Sequence, residues 1–223
     1  MVKYLEMTEV EKKDIVDSAL AEGTILGKGR NRTCLSVPNH PKLCIKIVHF
    51  FDGAKKGSRS WKNYHNRFKK AISTNHREYS YISYLKKSLP EHLRRLFPEP
   101  CECYLHPDHG WILIEEKFTS LDGSPAHNIE HALSSATNSI EKNALIENFK
   151  SIITELAHHG VFFMDQVNLM VIKNTTGDIN FKISDLEPNG RALGINFEYL
   201  LPCFEIKRRV LRRLAEHLRR FSE

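Results

Sequence analysis

A lysine stands inside an apolar run of this sequence. Lys46 is the third residue of the run CIKIV at residues 44–48, and burying an ammonium group without a partner is costly. Either the lysine binds an anion, or it belongs to an edge strand and extends to solvent. Glu78, in the stretch REY at residues 77–79 of a predicted helix, is a candidate partner. The alternative for Glu78 is a solvated carboxylate in a weak surface pair.

A glycine-rich turn precedes this lysine. The sequence GKG at residues 27–29 lies between two strand-like runs, where glycines let a backbone approach a ligand without a Cβ in the way. A plain hairpin turn is the alternative. The surrounding sequence lacks the context of a dinucleotide fingerprint and the GK[ST] ending of a Walker loop, so neither of those nucleotide sites is expected.

Two oxygen-bearing side chains flank a second predicted hairpin. Asn168 precedes the strand at residues 169–173, and Asp185 follows the strand at residues 179–183. Pairing of these strands would bring an amide oxygen and a carboxylate oxygen to the same open end, and Mg²⁺ prefers such hard ligands. The alternative is that both are ordinary turn residues.

These groups need a scaffold of strands and helices. A capping box formed by Thr8 and Glu11 predicts a helix over residues 8–22 that Gly23 ends, with Val10 on its apolar face. Two strand-like runs then predict one β-hairpin. The first run begins at residues 24–26 and continues past the glycine turn to residues 33–37, and the second run is residues 43–50. Apolar periodicity predicts further helices at about residues 68–89, 140–156 and 204–221, and strands at residues 102–105 and 111–116.

Composition limits the class of protein. The 223 residues are 41% apolar and 27% charged, which is typical of a globular chain and excludes fibrous and disordered classes. The absence of a signal peptide and of any apolar run of about 20 residues predicts a soluble cytoplasmic protein without a membrane span. The 5 cysteines form an odd number, so reduced thiols are expected.

A basic excess suggests acidic partners. The formal net charge is +6, and basic residues cluster at residues 55–70 and along the predicted C-terminal helix. A nucleic-acid-binding protein is therefore an alternative from another class. The sequence contains no helix-turn-helix, zinc-finger or RNP motif, so nucleic acid is not the expected partner.

The order of the motifs matches the parts of a protein kinase-like phosphotransferase. The stretches 27–34 (GKGRNRTC), 44–48 (CIKIV), 77–79 (REY), 122–125 (DGSP) and 168–169 (NL) resemble the PhoP regulatory network protein family, also called YrbL. The resemblance covers about residues 23–210. It implies a compact, bilobal α+β protein kinase-like fold that binds ATP and Mg²⁺. Residues 1–118 would form a small β-rich N-lobe, and residues 119–223 a reduced, mostly helical C-lobe with the metal-binding hairpin.

The resemblance also implies a function for each matched residue. Gly27 and Gly29 would cover the phosphates, Lys46 would hold the α- and β-phosphates, and Glu78 would orient Lys46. A hinge would meet the adenine mainly through backbone groups, and it would consist of Glu115, Glu116, Lys117 and Phe118. Asn168 and Asp185 would coordinate Mg²⁺.

Two departures from active protein kinases leave catalysis open. The position five residues before Asn168 holds Phe163 where the catalytic loop has an aspartate, and the nearest carboxylate, Asp165, lies three residues before Asn168. Glu187 replaces the glycine of the DFG motif. We expect phosphoryl transfer to an unknown small-molecule or protein hydroxyl acceptor if Asp165 acts as the base. The alternative is a pseudokinase that binds nucleotide as a regulator or scaffold.

Overall fold

The protein divides into two compact units in its computed structural model. The model describes residues 7–29, 32–48, 74–120, 123–161, 168–173, 179–184, 186, 191–192, 195–196 and 203–222. One unit comprises residues 1–84 and 98–117, and the other comprises residues 85–97 and 118–223.

The first helix begins and ends where its sequence predicts. Helix α1 spans Glu9–Glu22, and the Thr8 hydroxyl accepts a hydrogen bond from the Glu11 backbone while the Glu11 carboxylate accepts one from the Thr8 N–H. Gly23 ends the helix in an extended conformation, and the position requires glycine because a Cβ there would lie 2.3 Å from the Ala19 carbonyl oxygen. The expected place of Val10 on the apolar face is wrong, since its side chain is 68% exposed.

A five-stranded antiparallel sheet forms the first unit, in the order β1-β2-β3-β5-β4. Its strands are β1 (Ile25–Lys28), β2 (Arg32–Ser36), β3 (Leu43–Val48), β4 (Cys101–His106) and β5 (Gly110–Glu116). The predicted hairpin before the next helix is confirmed, since β2 pairs with β3. Its first run forms two strands and not one, because Gly27 pairs with Cys34 across β1 and β2. Gly27 is therefore a strand residue and not part of the turn.

The two faces of this sheet differ in chemistry. Residues two apart on a strand, and residues directly opposite each other, share a face. One face packs against α1, and its core consists of Ile15, Val16, Ala19, Val37, Leu43, Ile45, Ile112 and Ile114. The register places Gly27, Cys34, Lys46, Leu113 and Cys103 in one row on the other face, and Ser36, Cys44, Glu115 and Cys101 in the next. We call this second side the lysine face.

Two helices lie between β3 and β4 in the sequence. Helix α2 spans Thr74–Ser88, and α3 spans Glu91–Arg94. The predicted helix over residues 68–89 agrees with α2 at its C-terminal end, where Pro90 follows. Its predicted start, together with the basic residues 55–70, lies outside the described residues.

The second unit is built on a three-stranded sheet and two long helices. Strands β6 (His127–Asn128), β7 (Leu169–Lys173) and β8 (Ile179–Ile183) pair in that order, and the β7–β8 pairing confirms the predicted hairpin. Helix α4 (Ile129–Ser134) follows β6, and α5 spans Ser139–His158. Strands β9 (Arg191–Ala192) and β10 (Ile195–Asn196) form a separate pair.

The C-terminal helix α6, Cys203–Ser222, confirms the last predicted helix. Val210, Leu214 and Phe221 are buried, and the Phe221 ring meets Phe149 of α5 at 5.6 Å between centroids. The opposite side of α6 carries exposed arginines, as the basic amphipathic pattern predicts. None of the helices in the described part of the chain is long and apolar enough to cross a membrane.

Candidate functional site

Lys46 lies in the middle of the first unit's sheet. The β-branched residues around it favour a strand, and β3 pairs with β2 on one side and β5 on the other. The lysine is therefore not an edge residue, and it is 8% exposed. Its neighbour Ile45 is fully buried in the core against α1. Alternation along the strand therefore sends the Lys46 side chain to the lysine face.

Four charged side chains meet on the lysine face, and we call them the lysine cluster: Arg32, Lys46, Glu78 and Glu115. The Lys46 Nζ lies 3.2 Å from Glu78 Oε1 and 2.7 Å from Glu115 Oε1. The other oxygen of Glu78 pairs with the Arg32 guanidinium. Both carboxylates are buried. The solvated alternatives for Lys46 and Glu78 are therefore wrong, and the two cations and two carboxylates stabilise one another.

Asn75 holds helix α2 against the strands next to the cluster. Its side-chain N–H groups donate to the backbone oxygens of Lys46, at 2.7 Å, and Trp111, at 2.8 Å. Its amide oxygen accepts from Arg32 Nη1 at 3.3 Å. Asn75 is fully buried, and sequence reasoning missed it. Its position three residues before Glu78, on the same face of a helix, is the pattern that could have indicated it.

Glu115 contributes to the site through its side chain. It pairs with Cys44 across β3 and β5, which brings its carboxylate to Lys46. Burial raises the pKa of Glu115 to about 8, although the adjacent Lys46 ammonium lowers it. No described group makes a hydrogen bond to its second oxygen, Oε2, which is also buried. The resemblance implied a hinge residue that acts mainly through its backbone, so the pairing of this carboxylate with Lys46 is a second feature that the sequence did not indicate.

Two thiols lie on the lysine face beside Lys46. Cys34 stands directly opposite Lys46, and Cys44 is diagonal to Cys34 in the same strand pair. A hydrogen bond from Cys44 lowers the pKa of Cys34, and the cations Lys46 and Arg32 lower it further. The same hydrogen bond, together with burial, raises the pKa of Cys44 well above its ordinary value. Cys34 is half-buried, so it is the more reactive thiol of this pair.

Gly27 of β1 and Gly29 of the following turn leave room in front of the sheet. A Cβ added at Gly27 would meet nothing within 4 Å, and one added at Gly29 would touch only the Arg32 carbonyl oxygen at 3.7 Å. The Gly29 N–H donates to that same oxygen at 2.8 Å and closes the turn. Neither glycine is required by a close approach to another described residue, so both positions are open to a ligand.

The chain after Glu115 is held by backbone hydrogen bonds. The N–H of Glu116 donates to the carbonyl oxygen of Pro100 at 3.0 Å, and that of Lys117 donates to Lys42 at 2.8 Å. The carbonyl oxygen of Phe118 accepts from Ala126 at 3.1 Å. These three backbone groups of the predicted hinge therefore already have partners within the chain.

The predicted metal ligands belong to the second unit. Asn168 directly precedes β7, and its carbonyl oxygen accepts from the Ser184 N–H at 3.1 Å and the Ser184 hydroxyl at 3.0 Å. Asp185 and the predicted base Asp165 lie outside the described residues. Across the part of the chain that is described, no group of three or more His, Cys, Asp or Glu side chains could hold a metal. The donor types of Asn168 and Asp185, an amide oxygen and a carboxylate, suit Mg²⁺, and their role as metal ligands stays a prediction.

Two of three comparisons with known proteins found a match. The family described as PhoP regulatory network protein YrbL matches residues 19–221, and no curated protein sequence matches the chain. A similar solved structure is the crystal structure of the Rio2 kinase-ADP/Mg²⁺-phosphoaspartate complex from Chaetomium thermophilum, with a TM-score of 0.51 and 13% identity. The match covers 94% of this chain but only 60% of that one. The fold is therefore protein kinase-like and bilobal, with an antiparallel-sheet N-lobe and a reduced C-lobe.

Proposed function

Since this chain belongs to the PhoP regulatory network protein YrbL family and has a protein kinase-like fold, we propose that it binds ATP with Mg²⁺ and transfers a phosphoryl group to a hydroxyl acceptor. One observation carries the proposal: Lys46 is buried in a central strand and ion-paired with Glu78 of the following helix. A lysine in that arrangement is pre-positioned to bind phosphate oxygens, because the helix carboxylate fixes its direction. The similar Rio2 structure is itself a complex with ADP and Mg²⁺.

The residues of the first unit suit a phosphate-bearing ligand. Lys46 supplies the cation. Gly27 and Gly29 have no side chains to fill the space in front of the sheet, and an added Cβ at either position would meet no described atom closer than 3.7 Å. The lysine cluster is rigidly built, since both carboxylates are buried. Fixed charges aimed at the ligand need no reorganisation when it binds, which favours both affinity and phosphoryl transfer. The segment from Glu115 to Phe118 would then meet the nucleobase.

Metal binding and proton transfer are assigned to the other unit. Asn168 and Asp185 would hold Mg²⁺, which neutralises charge on the phosphate oxygens when it is bound. Asp165 would accept the proton of the acceptor hydroxyl as that oxygen bonds to phosphorus and the bond from phosphorus to the ADP oxygen breaks. The acceptor is a small molecule or a protein with a free hydroxyl.

Thermal unfolding tests nucleotide binding without requiring turnover. A ligand at about 100 times its Kd stabilises the native state by about 2.7 kcal/mol, which raises the Tm of a chain of this size by about 5–11 °C. We expect ATP to give a Mg²⁺-dependent shift in the wild type. We expect Lys46→Met to lose the shift, because the substitution removes the cation assigned to the phosphates.

Lys12→Met is the matched control for this experiment. Lys12 also bridges two carboxylates, with its Nζ 3.1 Å from Glu9 and 3.3 Å from Glu102, but it lies on α1, which covers the opposite face of the sheet. Its substitution should preserve the nucleotide shift. The proposal fails if the wild type shows no shift at millimolar ATP, or if Lys12→Met and Lys46→Met lose the shift equally.

A second candidate is a pseudokinase that binds nucleotide without transferring phosphate. Phe163 in place of the loop aspartate and Glu187 in place of the DFG glycine favour it. ATP turnover separates the two candidates. Asp165→Asn in an active kinase should retain the nucleotide shift and lose turnover, whereas a wild-type pseudokinase shows a nucleotide shift with no turnover to lose.

A further inference from the structure

Glu115 is a buried carboxylate that shares the cation assigned to the nucleotide. Its Oε1 lies 2.7 Å from the Lys46 ammonium, closer than the 3.2 Å between Lys46 and Glu78. Its side chain is 3% exposed. Glu78 also pairs with Arg32, whereas Lys46 is the cation that neutralises Glu115. Anything that draws Lys46 away therefore affects Glu115 more than Glu78.

Among the described residues, only one cation lies at bonding distance from Glu115. The titratable and charged groups that face Glu115 in the described part of the chain are Lys46 and Cys44 from β3, Cys34 and Arg32 from β2, Glu78 from α2 and Cys101 from β4. Arg32 is engaged by Glu78. The carboxylate of Glu78 and the Cys34 thiol both disfavour a negative charge on Glu115. Among the described residues, Lys46 alone forms an ion pair with this carboxylate.

Phosphate binding changes this balance. When phosphate oxygens take up the Lys46 ammonium, they add negative charge beside Glu115 and weaken its only ion pair. A buried carboxylate that loses its counter-ion is strongly disfavoured, so its protonated, neutral form becomes the favoured one. The second oxygen, Oε2, has no hydrogen-bond partner among the described groups, so it is the atom open to that proton.

We propose that nucleotide binding at Lys46 is coupled to the uptake of a proton from solvent by Glu115, which is thereby a positioning residue that holds Lys46 until phosphates replace it. This inference rests on the proposed nucleotide site. Glu115 does not contact the nucleotide and acts on it only by way of Lys46. The O–H bond of the protonated carboxyl group is the one covalent bond that forms when the proton is taken up. The ion pair between Lys46 and Glu78 persists and keeps the ammonium directed at the ligand.

The coupling has a definite sign and pH range. The pKa of Glu115 is about 8 in the free protein, so below about pH 7 the proton is already present and binding takes up little. Above pH 8 the free protein has lost the proton and the complex regains it. The affinity for nucleotide then falls as pH rises, by up to about tenfold for each pH unit. Phosphate oxygens titrate near pH 6 and stay fully ionised in this range.

Calorimetry counts the proton directly. Binding of MgADP to the full chain is measured at about pH 7, 8 and 9, each in two buffers with different ionisation enthalpies, so that the difference in apparent enthalpy gives the protons taken up. We expect uptake to rise toward one proton at the highest pH in the wild type. We expect Glu115→Gln to bind MgADP with no uptake and with an affinity that no longer depends on pH.

Two controls separate Glu115 from its neighbours. Glu102→Gln removes a carboxylate whose oxygen lies 3.3 Å from Lys12 on the opposite face, and it should retain the proton uptake. Cys34→Ser removes the nearby thiol that also titrates and should retain the uptake as well.

Each remaining outcome has one meaning. Wild-type binding with no buffer dependence at the highest pH overturns the coupling and leaves the nucleotide site standing. Uptake that persists unchanged in Glu115→Gln assigns the proton to another group and overturns the role of Glu115. Absence of MgADP binding in the wild type overturns the proposed function and this inference with it. The buffer comparison in the wild type needs no variant, so it decides the question even if Glu115→Gln does not fold.

Discussion

Replacing Glu78 by glutamine tests whether the lysine cluster stabilises the fold. Glu78 is 1% exposed and receives both Arg32 and Lys46, whose side chains are each 10% exposed. The substitution keeps the shape of the side chain and removes its charge. Lys46 keeps Glu115 as a partner, whereas Arg32 loses the carboxylate of Glu78 and keeps the Asn75 amide oxygen at 3.3 Å. The substitution therefore removes one carboxylate from two largely buried cations at once.

The size of the effect follows from this burial. Breaking a buried ion pair by removing one partner costs about 3–5 kcal/mol, and 1 kcal/mol corresponds to about 2–4 °C in Tm for a chain of this size. We expect Glu78→Gln to lower the Tm by about 6–20 °C. Circular dichroism or calorimetric melts without nucleotide measure this directly.

A surface variant and a double variant provide the comparison. Asp17→Asn removes a half-exposed carboxylate that pairs with Lys13, and such pairs contribute about 0–1 kcal/mol. Adding Arg32→Met to Glu78→Gln should recover part of the loss, because it removes the cation whose ion pair with Glu78 has been broken. The reasoning is refuted if Glu78→Gln costs no more than Asp17→Asn, or if the double variant is less stable than Glu78→Gln alone.

Three further predictions concern other parts of the first unit. Gly23→Ala should lower stability by about 1–3 kcal/mol, measured by urea unfolding, because the new Cβ would lie 2.3 Å from the Ala19 oxygen and 2.5 Å from the Ser36 oxygen. Iodoacetamide should alkylate Cys34 and MgADP should slow that reaction, because the pKa of this thiol is lowered and it lies opposite Lys46; peptide mass spectrometry measures the rate. As pH rises from about 5 to 8, the free energy of unfolding of the wild type should fall relative to that of Glu115→Gln, by up to about 1.4 kcal/mol per pH unit. The reason is that the pKa of Glu115 in the folded protein, about 8, exceeds its ordinary value of 4.5. Urea unfolding across this range measures the change.

Each of these has its own comparison. Gly27→Ala should cost little stability, since its Cβ would meet nothing within 4 Å, and equal losses at both glycines would contradict the packing argument at Gly23. Mg²⁺ without nucleotide should leave the alkylation of Cys34 unchanged, and a rate no faster than that of the half-buried Cys101 would contradict its assignment as a reactive thiol. Glu102→Gln should follow the wild-type pH profile of stability. A profile of Glu115→Gln that parallels the wild type would place the titration elsewhere.

The sequence by itself determined the features that depend on neighbouring residues. The capping box of Thr8 and Glu11 specified where α1 begins, because both partners lie within one turn. The two strand-like runs at residues 169–173 and 179–183 specified the second hairpin. The position of Lys46 in an apolar run already required an anionic partner, because the cost of a buried ammonium does not depend on the fold. Glu78 could be named as a candidate on the same grounds.

Tertiary structure alone decided which distant residues meet. The pairing between strands decides whether residues 24–37 form one strand or two. The register between β3 and β5, which are far apart in the sequence, decides whether Glu115 faces Lys46 or the core against α1. A shift of one residue in β5 would turn Glu115 to the other face and bring Ile114 to the lysine. Local propensity carries no information about that register. The packing of both faces of the sheet selects it, and so it is the register that places the second carboxylate on Lys46.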